Sequence, residues 1–71
     1  MGAKLKVDEM RRMKKISQAE MAERLHVSLS KYIRMEKYPW KISIEEGMEI
    51  ADIFGVSFND IIFMPQKVTN V

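Results

Sequence analysis

Apolar residues in this chain recur at intervals of three and four, the spacing that lines one face of a helix, and no stretch alternates as a strand would. Val7, Met10 and Met13 mark a first helix over about Leu5 to Lys14. Met21, Ala22 and Leu25 mark a second over about Gln18 to Leu25, and Tyr32 with Met35 a third over about Leu29 to Lys37. Tyr38-Pro39-Trp40-Lys41-Ile42 reads as a loop, since proline lacks a backbone donor and disfavours helix at the residue before it. Ile44, Met48, Ala51 and Phe54 predict a fourth helix, and a short fifth runs from about Phe58 to Phe63, stopped by Pro65. Polar residues mark the ends. Ser17 with Glu20, and Ser43 with Glu46, have the spacing of capping boxes; Ser28 and Ser57 are further N-caps, and Gly55 suits a left-handed C-terminal cap. The expected core is Val7, Met10, Ile16, Met21, Leu25, Val27, Tyr32, Met35, Ile44, Met48, Ala51, Phe54, Val56, Phe58 and Ile61.

The second and third helices are short and separated only by His26-Val27-Ser28. Two such helices meeting at a sharp angle form a helix-turn-helix over about residues 17 to 37, which sets its second helix into a DNA major groove. With Tyr32, Met35 and Glu36 turned toward the domain, the third helix presents Leu29, Ser30, Ile33, Arg34 and Lys37 outward. Arg34 is the strongest candidate for reading sequence, because its fork can bond guanine O6 and N7 together, worth about 1–3 kcal/mol of discrimination. Ser30 can bond several bases, while Leu29 and Ile33 can pack on thymine methyl groups. Lys31 can reach a base or a phosphate, and Lys15, Lys37 and Lys41 lie where they would flank the groove.

Residues matching in order along the chain are Val7, Met10 and Arg11; Ser17-Gln18, Met21-Ala22 and Leu25; Val27-Ser28, Tyr32 and Met35-Glu36; Ile44, Met48, Ile50-Ala51 and Phe54; and Gly55-Val56-Ser57 with Ile61-Ile62. In this succession the chain resembles the Cro and phage-repressor (XRE-type) family over roughly residues 5 to 63. The resemblance implies a lambda-repressor-like fold: an all-α, compact five-helix bundle in a single domain, 1–71. It also implies that Ser28, Leu29, Ser30 and Arg34 face base edges and that Gln18 meets a backbone phosphate; an amide donor at a positive helix end suits that anion. Arg11 and Glu36 match positions that pair across the domain to orient the reading helix. The loop and last helix lie near the twofold axis in relatives, which makes Tyr38, Trp40, Phe58 and Ile62 candidate dimer contacts. Three residues depart from the family pattern. Lys15 and His26 stand at turns where glycine is usual, each costing about 1 kcal/mol if φ is positive. Gly47 replaces a leucine inside the fourth helix, which suggests close approach of another backbone or a large ring, with Trp40 the nearest candidate.

Composition narrows the alternatives. Seventy-one residues allow one small core, and seven methionines suit the irregular gaps between short helices. With no cysteine and one histidine, His26, the chain offers no metal site and little for catalysis; no enzyme activity, cofactor or small-molecule ligand is expected. No apolar run is long enough to span a membrane, no secretory signal is evident, and Met1-Gly2 lacks the Ser or Thr that a myristoylation signal needs at Lys6. A cytoplasmic setting, in a bacterial cell or a phage-infected host, follows as the expectation. Net charge is only +2, but its distribution is polar: residues 1–44 carry eleven Lys and Arg against five acids, and residues 45–71 one against five. A basic face toward double-stranded DNA and an acidic rear fit that division. The expected function is a sequence-specific regulator, resembling a phage Cro or a small prophage or plasmid repressor, bound as a homodimer to an inverted repeat. No ligand-sensing part is expected within the chain. The alternative is a protein-interaction module of the same fold, an antitoxin or a modulator that binds another repressor, which Leu29, Ile33, Tyr38 and Trp40 would serve. Specific binding in a gel shift separates the two.

Overall fold

A computed structural model describes residues 4–64, so Met1-Gly2 and the helix stop assigned to Pro65 lie outside the described residues. The element order is β1 (Leu5–Lys6), α1 (Val7–Met13), α2 (Gln18–Leu25), α3 (Leu29–Lys37), a 3-10 turn (Pro39–Lys41), α4 (Ile44–Phe54), a second 3-10 turn (Phe58–Asp60) and β2 (Ile61–Ile62). Serines start α2, α3 and α4 as expected. Ser17 accepts from the Glu20 N–H at 3.0 Å, Ser28 from Lys31 at 3.1 Å and Ser43 from Glu46 at 3.1 Å. The Ser43 box closes reciprocally, with the Ser43 N–H donating to Glu46 Oε1. At Ser17 only half the box forms, because Glu20 turns to Arg24, its i+4 neighbour.

Three helices end in the same way. The N–H groups of Ile16, Val27 and Val56 reach back to the carbonyls of Arg11, Ala22 and Ala51 at 3.0–3.2 Å, across residues in the left-handed region. Those residues are Lys15 (φ 59°), His26 (φ 59°) and Gly55 (φ 71°). This closure satisfies carbonyls that a helix end leaves open, and it sets an apolar residue against the body just past each turn. Ile16, Val27 and Val56 all pack on the core. Glycine enters this backbone freely, whereas a lysine or histidine enters it at a cost of roughly 1–2 kcal/mol.

The buried core is Val7, Met10, Met21, Ala22, Leu25, Tyr32, Met35, Ile50, Ala51, Phe54 and Ile61. Six expected members are not in it: Ile16, Val27, Val56 and Phe58 pack against it half-buried, while Ile44 is 68 % exposed and Met48 57 %. Ile50, left out of the expected core, is fully buried. The buried stripe of α4 is Gly47, Ile50, Ala51 and Phe54: Ala51 and Phe54 face inward as expected, but Gly47 and Ile50 take the places expected for Ile44 and Met48. Gly47 explains the difference, since a residue with no side chain gives no hydrophobic signal yet marks the inward face. A Cβ there would lie 2.8 Å from Phe58 and 3.1 Å from Phe63. A ring does approach Gly47, as expected, but the rings are Phe58 and Phe63, stacked 4.9 Å apart, and not Trp40. Met13, also read as inward, is exposed.

The fifth helix does not form. Ser57 and Asp60 form a capping box, with Asp60 Oδ2 accepting from the Ser57 N–H at 3.2 Å, but only the single turn Phe58–Asp60 follows before the backbone becomes extended at Ile61. Ile61-Ile62, a β-branched pair, then runs extended and pairs in parallel with Leu5-Lys6, in the register Leu5 with Ile61 and Lys6 with Ile62. That pairing also shortens the first helix, which begins at Val7 and not at Leu5. The fold is therefore mostly helical, with four α-helices and a two-residue parallel ladder that ties the start of the described chain to its end.

Candidate nucleic-acid interface

α3 is fixed on one face and open on the other. Tyr32 and Met35 are buried in the core, while Leu29 (46 % exposed), Ile33 (44 %), Ser30, Arg34 and Lys37 face outward. The exposed set lies on one stripe at helical spacing. α2 packs directly against α3, and the turn between them is set by the left-handed His26 and the Ser28 cap. Ser28 uses its oxygen as an acceptor for the cap, which leaves its hydroxyl proton to donate outward.

The far end of α3 is pinned to α1. Arg11 Nε and Nη2 both bond the Glu36 carboxylate, at 2.5 and 3.4 Å, and Arg11 Nη1 donates to the Ile16 carbonyl at 2.9 Å. Gln18 Nε2 donates to Glu36 Oε1 at 2.9 Å, so α2 joins the same knot. The Arg11 and Glu36 side chains are only 12 % and 7 % exposed. The bond to Glu36 raises the Arg11 guanidinium further above its ordinary value, against the effect of burial. Burial pushes the Glu36 carboxyl up, but the donors gathered on it, Arg11 foremost, more than reverse this and leave it below the ordinary value. The Tyr32 hydroxyl is buried without a hydrogen-bond partner; burial first, and the Glu36 carboxylate beside it, hold the phenol well above its ordinary value and therefore neutral.

The cations expected at phosphates are placed differently from one another. Lys15 is exposed at the end of α1, beside the start of α2. Lys37 and Lys41 both lie over the Tyr38 ring, 5.6 and 5.4 Å from its centre, and Trp40 meets that ring edge-on at 5.6 Å. Lys31 is paired with Glu46 of α4 at 3.0 Å, a contact the sequence reading did not foresee, because the capping role of Glu46 already accounted for that acid. Gln18 is half-buried, with one amide N–H committed to Glu36 and one left for an anion. Arg34 is exposed and has no ion-pair partner among the described residues. A hollow of about 260 Å³ lies beside this face, between α3 and the start of α4, with Ser28, Ser30, Arg34 and Lys41 on its rim.

The residues expected at a twofold contact divide. Trp40 is exposed, Tyr38 and Ile62 are half-buried, and Phe58 is committed to the stack over Gly47. A larger hollow of about 390 Å³ opens beside Trp40, with Ile44, Phe63 and Met64 on its walls. Exposed Ile44 and Met64 extend the apolar surface beyond the residues expected from sequence.

Among the described residues no group of His, Cys, Asp and Glu could hold a metal, and no helix is long and apolar enough to cross a membrane. Comparison with curated proteins and with solved structures found no match. A family model described as Helix-turn-helix matches residues 7–61, from the start of α1 to the first residue of β2. With the paired helices α2 and α3 at its centre, the chain belongs to this helix-turn-helix family of DNA-binding proteins.

Proposed function

We propose that the protein is a sequence-specific transcriptional regulator of the Cro and small prophage or plasmid repressor type, which binds an inverted-repeat operator as a homodimer and represses by occupying it. The observation that carries the reading is the outward stripe of α3, with Arg34 unpaired among the described residues while the opposite face is locked into the core. Arg34 and Ser30 read base edges, and Leu29 and Ile33 take thymine methyl groups. Gln18, Lys15, Lys37 and Lys41 hold the backbone, with Ser28 at the helix start able to meet either. One reader of this size offers little surface; a second copy brings another α3 about 34 Å away and roughly doubles it. The apolar ground around Trp40 and Ile44 supports self-association.

Selection of bound duplexes from a random pool tests the reading. The expected product is an inverted repeat with half-sites about one turn apart, bound with a steep loss of affinity as salt rises. A pool that shows no enrichment overturns it. The exposure of Leu29 and Ile33 also favours a second reading, an interaction module that binds another protein through α3. That reading predicts no specific duplex.

A further inference from the structure

Glu46 has two partners on opposite sides. Its Oε1 accepts from the Ser43 N–H at 3.1 Å, closing the cap of its own helix, while Oε2 meets Lys31 Nζ on α3 at 3.0 Å. The carboxylate is therefore oriented by the α4 backbone before Lys31 reaches it. Both contacts, the Ser43 N–H first, hold its pKa below the ordinary value, so it is fully charged at neutral pH. Lys31 stands one turn from Arg34 and lines the same hollow beside the outward face of α3. Among the described residues Arg34 has no acidic partner, whereas Lys31, half exposed, is paired with the carboxylate that the Ser43 N–H orients.

That difference matters for DNA, because sequence-independent affinity comes from cations that neutralise phosphates and release counterions. A lysine on a flexible four-carbon stem beside a groove would supply such a contact on any duplex. Held by Glu46, it supplies none until it leaves a carboxylate. We infer that Glu46 is a positioning residue for specificity: it holds Lys31 off the DNA backbone and so suppresses binding to duplexes of arbitrary sequence. The inference rests on the proposed reading role of α3. It places a determinant of specificity on α4, outside the helix-turn-helix.

Gln is itself a capping-box residue, so Glu46→Gln keeps the α4 cap and removes the charge that holds Lys31. The measurement is affinity for a short duplex of arbitrary sequence as salt is varied. The proteins compared are the wild type, Glu46→Gln, Lys31→Gln, the double variant and Glu49→Gln. Glu49 is an exposed acid on the same helix with no ion pair among the described residues, and its change matches the shift in net charge. Glu46→Gln should steepen the slope of log affinity against log salt by about 0.9, an extra loss of roughly 3–4-fold between 50 and 200 mM. Glu49→Gln and Lys31→Gln should keep the wild-type slope, the latter because Lys31 is already neutralised. The double variant should match Lys31→Gln. A Glu46→Gln slope equal to that of Glu49→Gln, or a steepening that survives in the Lys31→Gln background, overturns the inference. So does a slope made shallower by Lys31→Gln alone. A wild type that binds no duplex overturns the DNA reading and this inference together, whereas a wild type that binds while Glu46→Gln changes nothing overturns only the latter.

Discussion

Removing Glu36 should damage the protein through its fold before it affects any base contact. Glu36 accepts from Arg11 Nε and Nη2 and from Gln18 Nε2, and the pair is largely closed to water at 12 % and 7 % exposure. In Glu36→Ala the guanidinium keeps only the Ile16 carbonyl, and the Gln18 amide loses its acceptor. Breaking a buried pair from one side costs about 3–5 kcal/mol. The remaining bond to Ile16 and the nearby solvent place this case at the lower end, about 3 kcal/mol. A domain of this length has a total stability of roughly 4–11 kcal/mol, so the loss is a large share of it. It corresponds to a fall in Tm of about 12–24 °C, readable by far-ultraviolet circular dichroism. The carboxyl is held below its ordinary value in the fold, so its contribution is complete above the unfolded value of about 4.3 and is lost as pH falls through the folded one. The gap between wild type and Glu36→Ala should therefore narrow on acidification below about pH 4. A neutral-pH midpoint equal to that of the wild type would refute the reasoning, and a gap that persists in acid would show that the Glu36 charge is not its source.

Other consequences are local. His26→Gly should stabilise by about 1 kcal/mol, because φ is 59° there and the turn hydrogen bonds come from the backbone; the urea midpoint should rise. Gly47→Ala should destabilise by about 1 kcal/mol, since its Cβ would press on the stacked Phe58 and Phe63 rings by more than the gain in helix propensity offsets; a raised midpoint would mean that the rings move aside freely. Trp40→Ser should lower self-association in sedimentation without changing the melting of the monomer, as the ring is exposed; unaltered association would place the twofold contact elsewhere.

The helix-turn-helix was legible because its signals are local. Serine caps, apolar spacing and a short turn lie within residues 17 to 37, and the two positive-φ residues, Lys15 and His26, stand where glycine was expected. What sequence did not reveal depends on distant partners. Ile61-Ile62 turned from helix to strand because Leu5-Lys6, far away in the chain, offers a ladder. In the first half of α4 the inward residues are Gly47 and Ile50 and not Ile44 and Met48, because the inward marker, Gly47, has no side chain to count, whereas Ala51 and Phe54 are buried as their spacing implies. Glu46 was legible as a cap and illegible as a partner for Lys31, since the first role is set three residues away and the second by packing of α4 beside α3. Gln18 showed the reverse, a residue expected at a phosphate that is half committed to the Glu36 knot.

The most direct test of the account is the affinity of Arg34→Ala for the best duplex selected from a random pool and for each single-base variant of it. If α3 reads the major groove through Arg34, the variant loses about 1–3 kcal/mol on the best site and almost nothing on duplexes already changed at the base pair Arg34 contacts. Discrimination then disappears at that position in each half-site and survives elsewhere. A loss by the same factor on every duplex would mean that Arg34 holds phosphate, and no loss on any would mean that this face of α3 does not meet DNA.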